Sequence, residues 1–129
     1  MSTRCQVRIE SKDGNQEVMM LYHHCDGYPS NIIPLIVKAF EAGQELSNGG
    51  YELCNPGKVA SLLCHVDPLQ FEPLMHYDLH FDIAYFYKIV LERDQDGDPE
   101  WKVAVLRIGR GESKLMTLTE AVEWTKTQK

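Results

Sequence analysis

The most constraining feature of this chain is its longest alternation of apolar side chains. Over residues 82–93, Ile83, Tyr85, Tyr87, Ile89 and Leu91 interleave with Ala84, Phe86, Lys88, Val90 and Glu92. A period of two is the period of a strand, whose successive side chains leave opposite faces. The aromatic and β-branched residues here suit a pleated surface. Asp94-Gln95-Asp96-Gly97-Asp98-Pro99 then supplies a turn, and Trp101, Val103 and Val105 against Lys102, Ala104 and Leu106 predict the return strand. Whatever fold forms must accommodate this hairpin.

A second hairpin is predicted near the start. Residues 4–10 set Cys5, Val7 and Ile9 against Arg4, Gln6, Arg8 and Glu10, a strand with one wet face. Lys12-Asp13-Gly14-Asn15 reads as the turn. Glu17 to His24 reads as a second strand, apolar enough on both sides to be covered on both. Asp26-Gly27-Tyr28-Pro29 breaks it, with Gly27 expected to supply an unusual backbone angle. Ser30 is the expected N-cap of a helix that buries Ile32, Ile33, Ile36, Ala39 and Phe40. Pro34 should then lie near its start and Gly43 should end it.

Residues 44–54, with Ser47-Asn48-Gly49-Gly50, read as a loop. Asn55-Pro56 starts a second helix that buries Val59, Leu62 and Leu63. Residues 66–80 carry no assignable element. Thr117 and Glu120 fit a capping box for a last short helix with Ala121, Val122 and Trp124 as its apolar contacts, and the tail 126–129 is expected to fray. The order β-β-α-α-β-β-α predicts one α+β domain over residues 1–129. Its expected form is a four-stranded antiparallel sheet of two hairpins with two or three helices packed on it.

Composition narrows the function classes. At 129 residues, 43% hydrophobic and 25% charged, the chain has the makeup of one globular domain. Its net charge of −6 argues against direct binding to nucleic acid, though not against a basic protein partner. No apolar run approaches the ~18 residues of a membrane span. The start, Met1-Ser2-Thr3-Arg4-Cys5, has no signal-peptide core. Cys5, Cys25, Cys54 and Cys64 form no C-x-x-C pair, so reduced thiols and a cytoplasmic location are expected.

The densest polar cluster is Tyr22-His23-His24-Cys25-Asp26-Gly27-Tyr28-Pro29. His24 and Asp26 have the chemistry of an acid/base pair or of two metal ligands. The structural alternative is preferred: Asp26 caps the turn, Tyr28-Pro29 packs on the sheet, and His24 is a hydrogen-bonded core histidine. His76 and His80, four apart, extend the weak metal set His24, Asp26, His76 and His80. Cys64-His65 adds two more donors, but H-E-x-x-H is absent. Asp94, Asp96 and Asp98 fail as a calcium loop, because Pro99 and Val105 occupy the positions that need Gly and Glu. Tyr85, Phe86 and Tyr87 have the makeup of a stacking platform, with strand packing the simpler reading. Gly109-Arg110-Gly111 reads as a turn, and no phosphate loop, nucleophile elbow or cysteine-protease signature is present. No metal and no cofactor are expected.

Ser2-Thr3-Arg4, followed by Tyr22-x-His24-x-Asp26-Gly27-Tyr28-Pro29 and later by Asp82, Tyr85 and Tyr87, resembles a family of small uncharacterised phage and bacterial proteins. These open with Ser-Thr-Arg and carry Tyr-x-His-x-Asp-Gly-Tyr-Pro. The chain departs from them at Cys25, where an aromatic residue is common. The resemblance implies a compact cytoplasmic protein in a phage or mobile-element setting and carries no activity. It marks Tyr22, His24, Asp26, Tyr28, Tyr85 and Tyr87 as a ligand site, provided the second strand lies beside the long one.

The expected function is that of a non-enzymatic protein-binding regulator or inhibitor. Homodimerisation through a strand edge fits such a sheet. The alternative is a small-molecule or metal-dependent enzyme, with His24 as acid/base, Asp26 orienting it and Tyr28 or Tyr85 holding substrate.

Overall fold

The computed structural model describes residues 3–14, 16–47, 52–75 and 82–127. Strands β1 (Arg4–Ser11) and β2 (Met19–His23) come first, followed by helices α1 (Pro29–Ser47) and α2 (Pro56–Val66). Strands β3 (Phe71–Pro73), β4 (Ile83–Arg93), β5 (Pro99–Arg107), β6 (Gly111–Glu112) and β7 (Met116–Thr117) lead to helix α3 (Leu118–Thr125). Residues 48–51 of the expected loop 44–54, the last two residues of the tail, and His76 and His80 lie outside the described residues, while residues 44–47 belong to α1 and not to a loop.

The fold is α+β, but a four-stranded antiparallel sheet is too narrow a description. The sheet runs β3-β2-β1-β4-β5-β6, with β7 also beside β5. Both predicted hairpins are present, and they join through a parallel pair, β1 with β4. A parallel pair needs a long crossover, here the stretch that holds α1 and α2. Hydrophobic alternation reports which face is buried and is blind to strand direction, so this joint is not visible in the pattern. The unassigned stretch supplies β3, which pairs with β2 from Phe71 opposite His23 to Pro73 opposite Leu21.

Register builds the core. Cys5 lies opposite Tyr85, Val7 opposite Tyr87 and Ile9 opposite Ile89; on β5, Val105 lies opposite Tyr87, Val103 opposite Ile89 and Trp101 opposite Leu91. Onto this face α1 packs Ile32, Ile33, Ile36 and Ala39, and α2 packs Val59, Leu62 and Leu63. Fully burying an aliphatic side chain of this size is worth roughly 1.5–3 kcal/mol. Trp101 satisfies its indole by donating to the Leu53 carbonyl at 2.8 Å. As expected, β2 is covered on both sides, with Met20, Leu21, Tyr22 and His23 all buried.

The helix ends divide into expected and unexpected. Asn55 caps α2 by accepting from the Lys58 N–H, and Thr117 and Glu120 form the capping box of α3. Helix α1 starts one residue before Ser30, and the Tyr28 carbonyl accepts from the N–H groups of Asn31 and Ile32. Gly43 does not end α1, which continues to Ser47. A Cβ on Gly43 would fall 2.2 Å from Leu53 Cδ2 and 2.9 Å from Leu62 Cδ1, so that glycine makes room for side chains from distant segments.

The bend between β2 and α1 also departs from expectation. Asp26, not Gly27, takes the left-handed backbone, at φ 53°. Gly27 is needed for close approach: a Cβ there would sit 2.9 Å from Cys5 Cβ and 3.1 Å from the Arg4 carbonyl carbon. Its N–H donates to the Thr3 carbonyl at 2.8 Å, and the buried Tyr87 hydroxyl donates to its carbonyl at 2.7 Å. Burial pushes the Tyr87 phenol well above its ordinary pKa, so it stays a donor.

Tyr87→Phe leaves the Gly27 carbonyl without that donor. We expect a loss of about 1–3 kcal/mol in urea unfolding, read as a lower midpoint at unchanged slope. An unchanged midpoint would show that this bond does not hold the bend.

Candidate functional site

The six aromatic and polar residues marked in the sequence divide into two clusters. β1 lies between β2 and β4, so Tyr22 and His24 are a strand away from Tyr85 and Tyr87. On one side, the Tyr22 hydroxyl donates to Asp82 Oδ2 at 2.8 Å, and Arg4 Nη1 lies 3.7 Å from the same oxygen. Burial first, and the Asp82 carboxylate second, push the Tyr22 phenol up to about 12. His24 meets Tyr22 edge-on at 4.8 Å and places Nε2 2.6 Å from Glu72 Oε1.

Asp26 is held through its backbone, its carbonyl accepting from Asn31 Nδ2 at 2.8 Å, while His24 turns to Glu72. His24 is exposed and His23 is the core histidine. His23 is fully buried, packs edge-on against Phe71 at 4.5 Å and has Nε2 2.8 Å from Asp67 Oδ2. Among the described residues, Asp94, Asp96 and Asp98 are the group whose donors lie close enough to share a cation. They are exposed, and Asp94 Oδ1 accepts from the N–H groups of Asp96 and Asp98, which is what a hairpin turn requires.

The second cluster opens into a cavity. Tyr28 meets Tyr85 edge-on at 5.9 Å, and Tyr85 stacks on Tyr87 at 6.3 Å. Tyr28 is about half exposed, and it and Tyr85 form one wall of a cleft of about 430 Å³. The first turn of α1 (Ser30), the end of β5 with the turn after it (Arg107, Arg110) and the end of α3 (Trp124) complete that cleft.

Local chemistry explains how the arginines arrive there. Gly109 at φ 82° and Gly111 at φ 108° allow the tight turn, closed by the Arg110 N–H donating to the Arg107 carbonyl at 2.8 Å. The Arg107 guanidinium carbon stands 6.0 Å from the centre of the Tyr85 ring. Arg4, Arg8 and Arg93 each face a carboxylate. Among the described residues, neither Arg107 nor Arg110 does, although Glu112 lines the same cleft. A planar guanidinium fork matches carboxylate or phosphate oxygens, so two such groups give the cleft the chemistry to meet an anion.

A second cleft of about 600 Å³ lies by Lys12, Glu52, Cys54, Glu92 and Arg93. Its charges satisfy one another: Arg93 bonds both Glu52 oxygens at 3.0 and 3.2 Å, and Lys12 pairs with Glu92 at 3.4 Å. Burial pushes the Cys54 thiol up, which makes it a poor nucleophile. All four cysteines are free.

The sequence reading reached Tyr28 and Tyr85 but missed Ser30, Arg107, Arg110 and Trp124 as site residues. The available signal was Arg107 at the end of a strand followed by Arg110 between two glycines of a turn. No protein-family model, curated protein or solved structure matches the chain. Among the described residues, no helix is long and apolar enough to cross a membrane.

The two histidines separate in a stability assay. His23→Ala, which empties a buried site and strands Asp67, should cost about 2–4 kcal/mol. His24→Ala, whose pair with Glu72 has side chains about half exposed, should change stability by less than about 1 kcal/mol. Equal losses in chemical denaturation would refute this assignment of the core histidine.

Proposed function

We propose that this chain is a non-enzymatic binding protein whose recognition centre is the cleft of Arg107, Arg110, Tyr28 and Tyr85, and whose ligand is a small anion. The observation that carries this reading is a pair of arginines that, among the described residues, have no carboxylate partner in a chain of net charge −6. Both arginines are exposed, so their attraction for an anion weakens with added salt, and the concave lining has to help hold the ligand. A volume of about 430 Å³ is also within the usual range of small-molecule sites.

The lining supports binding over catalysis. Among the described residues it offers guanidiniums, phenols, hydroxyls and the carboxylate of Glu112, with no imidazole or thiol to pair with that carboxylate as acid and base. His24 and Asp26, the alternative catalytic pair, do not line this cleft, and Glu72 occupies His24 Nε2. A regulatory role in the cytoplasm, in a phage or mobile-element setting, is the context favoured by the resemblance of the N-terminal segment. Anion binding would then be the signal that a protein partner senses.

Inorganic phosphate should raise the thermal unfolding midpoint, since a ligand at a hundred times its Kd adds about 2.7 kcal/mol of stability. The Arg107→Ala/Arg110→Ala double variant should lose that rise, with chloride at matched ionic strength as the control. An equal rise in wild type and double variant would assign the effect to general salt exclusion and overturn the proposal.

A further inference from the structure

Resting on the reading of the cleft as an anion site, we propose that its ligand is an aromatic ring carrying a phosphate monoester, the class that includes nucleoside monophosphates. Three features of the cleft converge on that class.

The first is donor number. A carboxylate presents two oxygens in one plane, which a single guanidinium fork matches, whereas a phosphate monoester presents three oxygens that two forks can approach from different sides. Arg107 and Arg110 bring two forks, and Ser30 adds a hydroxyl. The opening turn of the 19-residue helix α1 faces the same space with no acidic side chain in it, and Ser30 is its first N–H donor because Pro29 has none. The arginines and the cleft carry the inference, and the helix end adds to it.

The second is the wall. Tyr28, Tyr85 and Trp124 surround a volume much larger than an inorganic anion fills. Edge-to-face tyrosines with one half-exposed ring leave an aromatic surface for a ligand ring to cover. Base–aromatic stacking contributes about 1–3 kcal/mol per base in nucleic-acid sites, with little dependence on the base.

The third is Glu112. It lines the cleft beside two guanidiniums yet forms no ion pair with either. A carboxylate there repels a ligand that is anionic throughout. It accepts hydrogen bonds from one whose far end carries hydroxyl or amino groups, as a sugar or base does. The net charge of the chain, which opposes a polyanion, does not prevent local attraction in a cleft with two guanidiniums against one carboxylate.

Isothermal titration of the full chain with adenosine 5′-monophosphate, adenosine, inorganic phosphate and benzoate tests this. The monophosphate should bind at least about tenfold tighter than any other, since each half of the ligand contributes more than about 1.4 kcal/mol. Its affinity should weaken between pH 7.5 and 5.5, as the phosphate takes up its second proton near pH 6. Arg107→Lys keeps the charge but not the fork and should weaken binding about fivefold or more. Tyr28→Ala, on a half-exposed side chain, should weaken the monophosphate but not inorganic phosphate.

Benzoate binding as tightly as the monophosphate would overturn the phosphate assignment and leave the anion site standing. Inorganic phosphate matching the monophosphate, with Tyr28→Ala silent, would overturn the aromatic assignment alone. No binding of any of the three anions would overturn both this inference and the anion-site reading beneath it.

Discussion

The contact on which the rest of the structure depends is the pinning of Gly27 between β1 and β4. Three constraints meet there. The Gly27 N–H bonds the Thr3 carbonyl, its carbonyl takes the Tyr87 hydroxyl, and its bare Cα lies against Cys5. The chain must leave β2, pass the start of β1 and begin α1 over the sheet, and this bend is where it does so. Asp26 absorbs the left-handed turn, an energetic cost that aspartate bears better than most residues. Any side chain at position 27 would lift α1 away from the β1–β4 pair and take Tyr28 away from the cleft.

The cleft is a product of that pinning and of a second, independent turn. Helix α1 begins at Pro29, two residues after Gly27, which sets Tyr28 and Ser30 on one side. The glycine-bracketed turn after β5 sets Arg107 and Arg110 on the other, and the end of α3 adds Trp124. The segments involved are far apart in sequence and share no motif. What joins them is the sheet register, which brings Tyr85 opposite Arg107 across the β4–β5 hairpin. The residues that line the cleft are thus brought together by the fold and not by a local motif.

Much of the fold was legible because its signals are local. The alternation over 82–93, the acidic turn and the return strand need only neighbouring residues, as do the Asn55 and Thr117 caps. What was not legible depends on tertiary context. The parallel β1–β4 pair leaves no mark in either strand's pattern. Gly43 looks like a helix stop until Leu53 and Leu62 are known to fill the space beside it. His23 and His24 have equal claims to the core in a strand that is apolar on both sides, and the register that assigns His23 inward comes from pairing with β1. The candidate site follows the same rule. Tyr28 and Tyr85 stood out as aromatics, whereas Arg107 and Arg110 look like ordinary surface residues until the cleft that gathers them is seen.

The most direct test of an anion-binding cleft built on the Gly27 bend is an amide chemical-shift map during titration with inorganic phosphate. The largest changes should fall together on Ser30, Asn31, Arg107, Gly109, Arg110 and Gly111, with those of β2 and the Asp94–Asp98 turn unmoved. They should saturate with one common dissociation constant. Changes scattered over the lysines of the surface, or linear in phosphate up to high concentration, would contradict a built site and leave the two arginines as solvated charges.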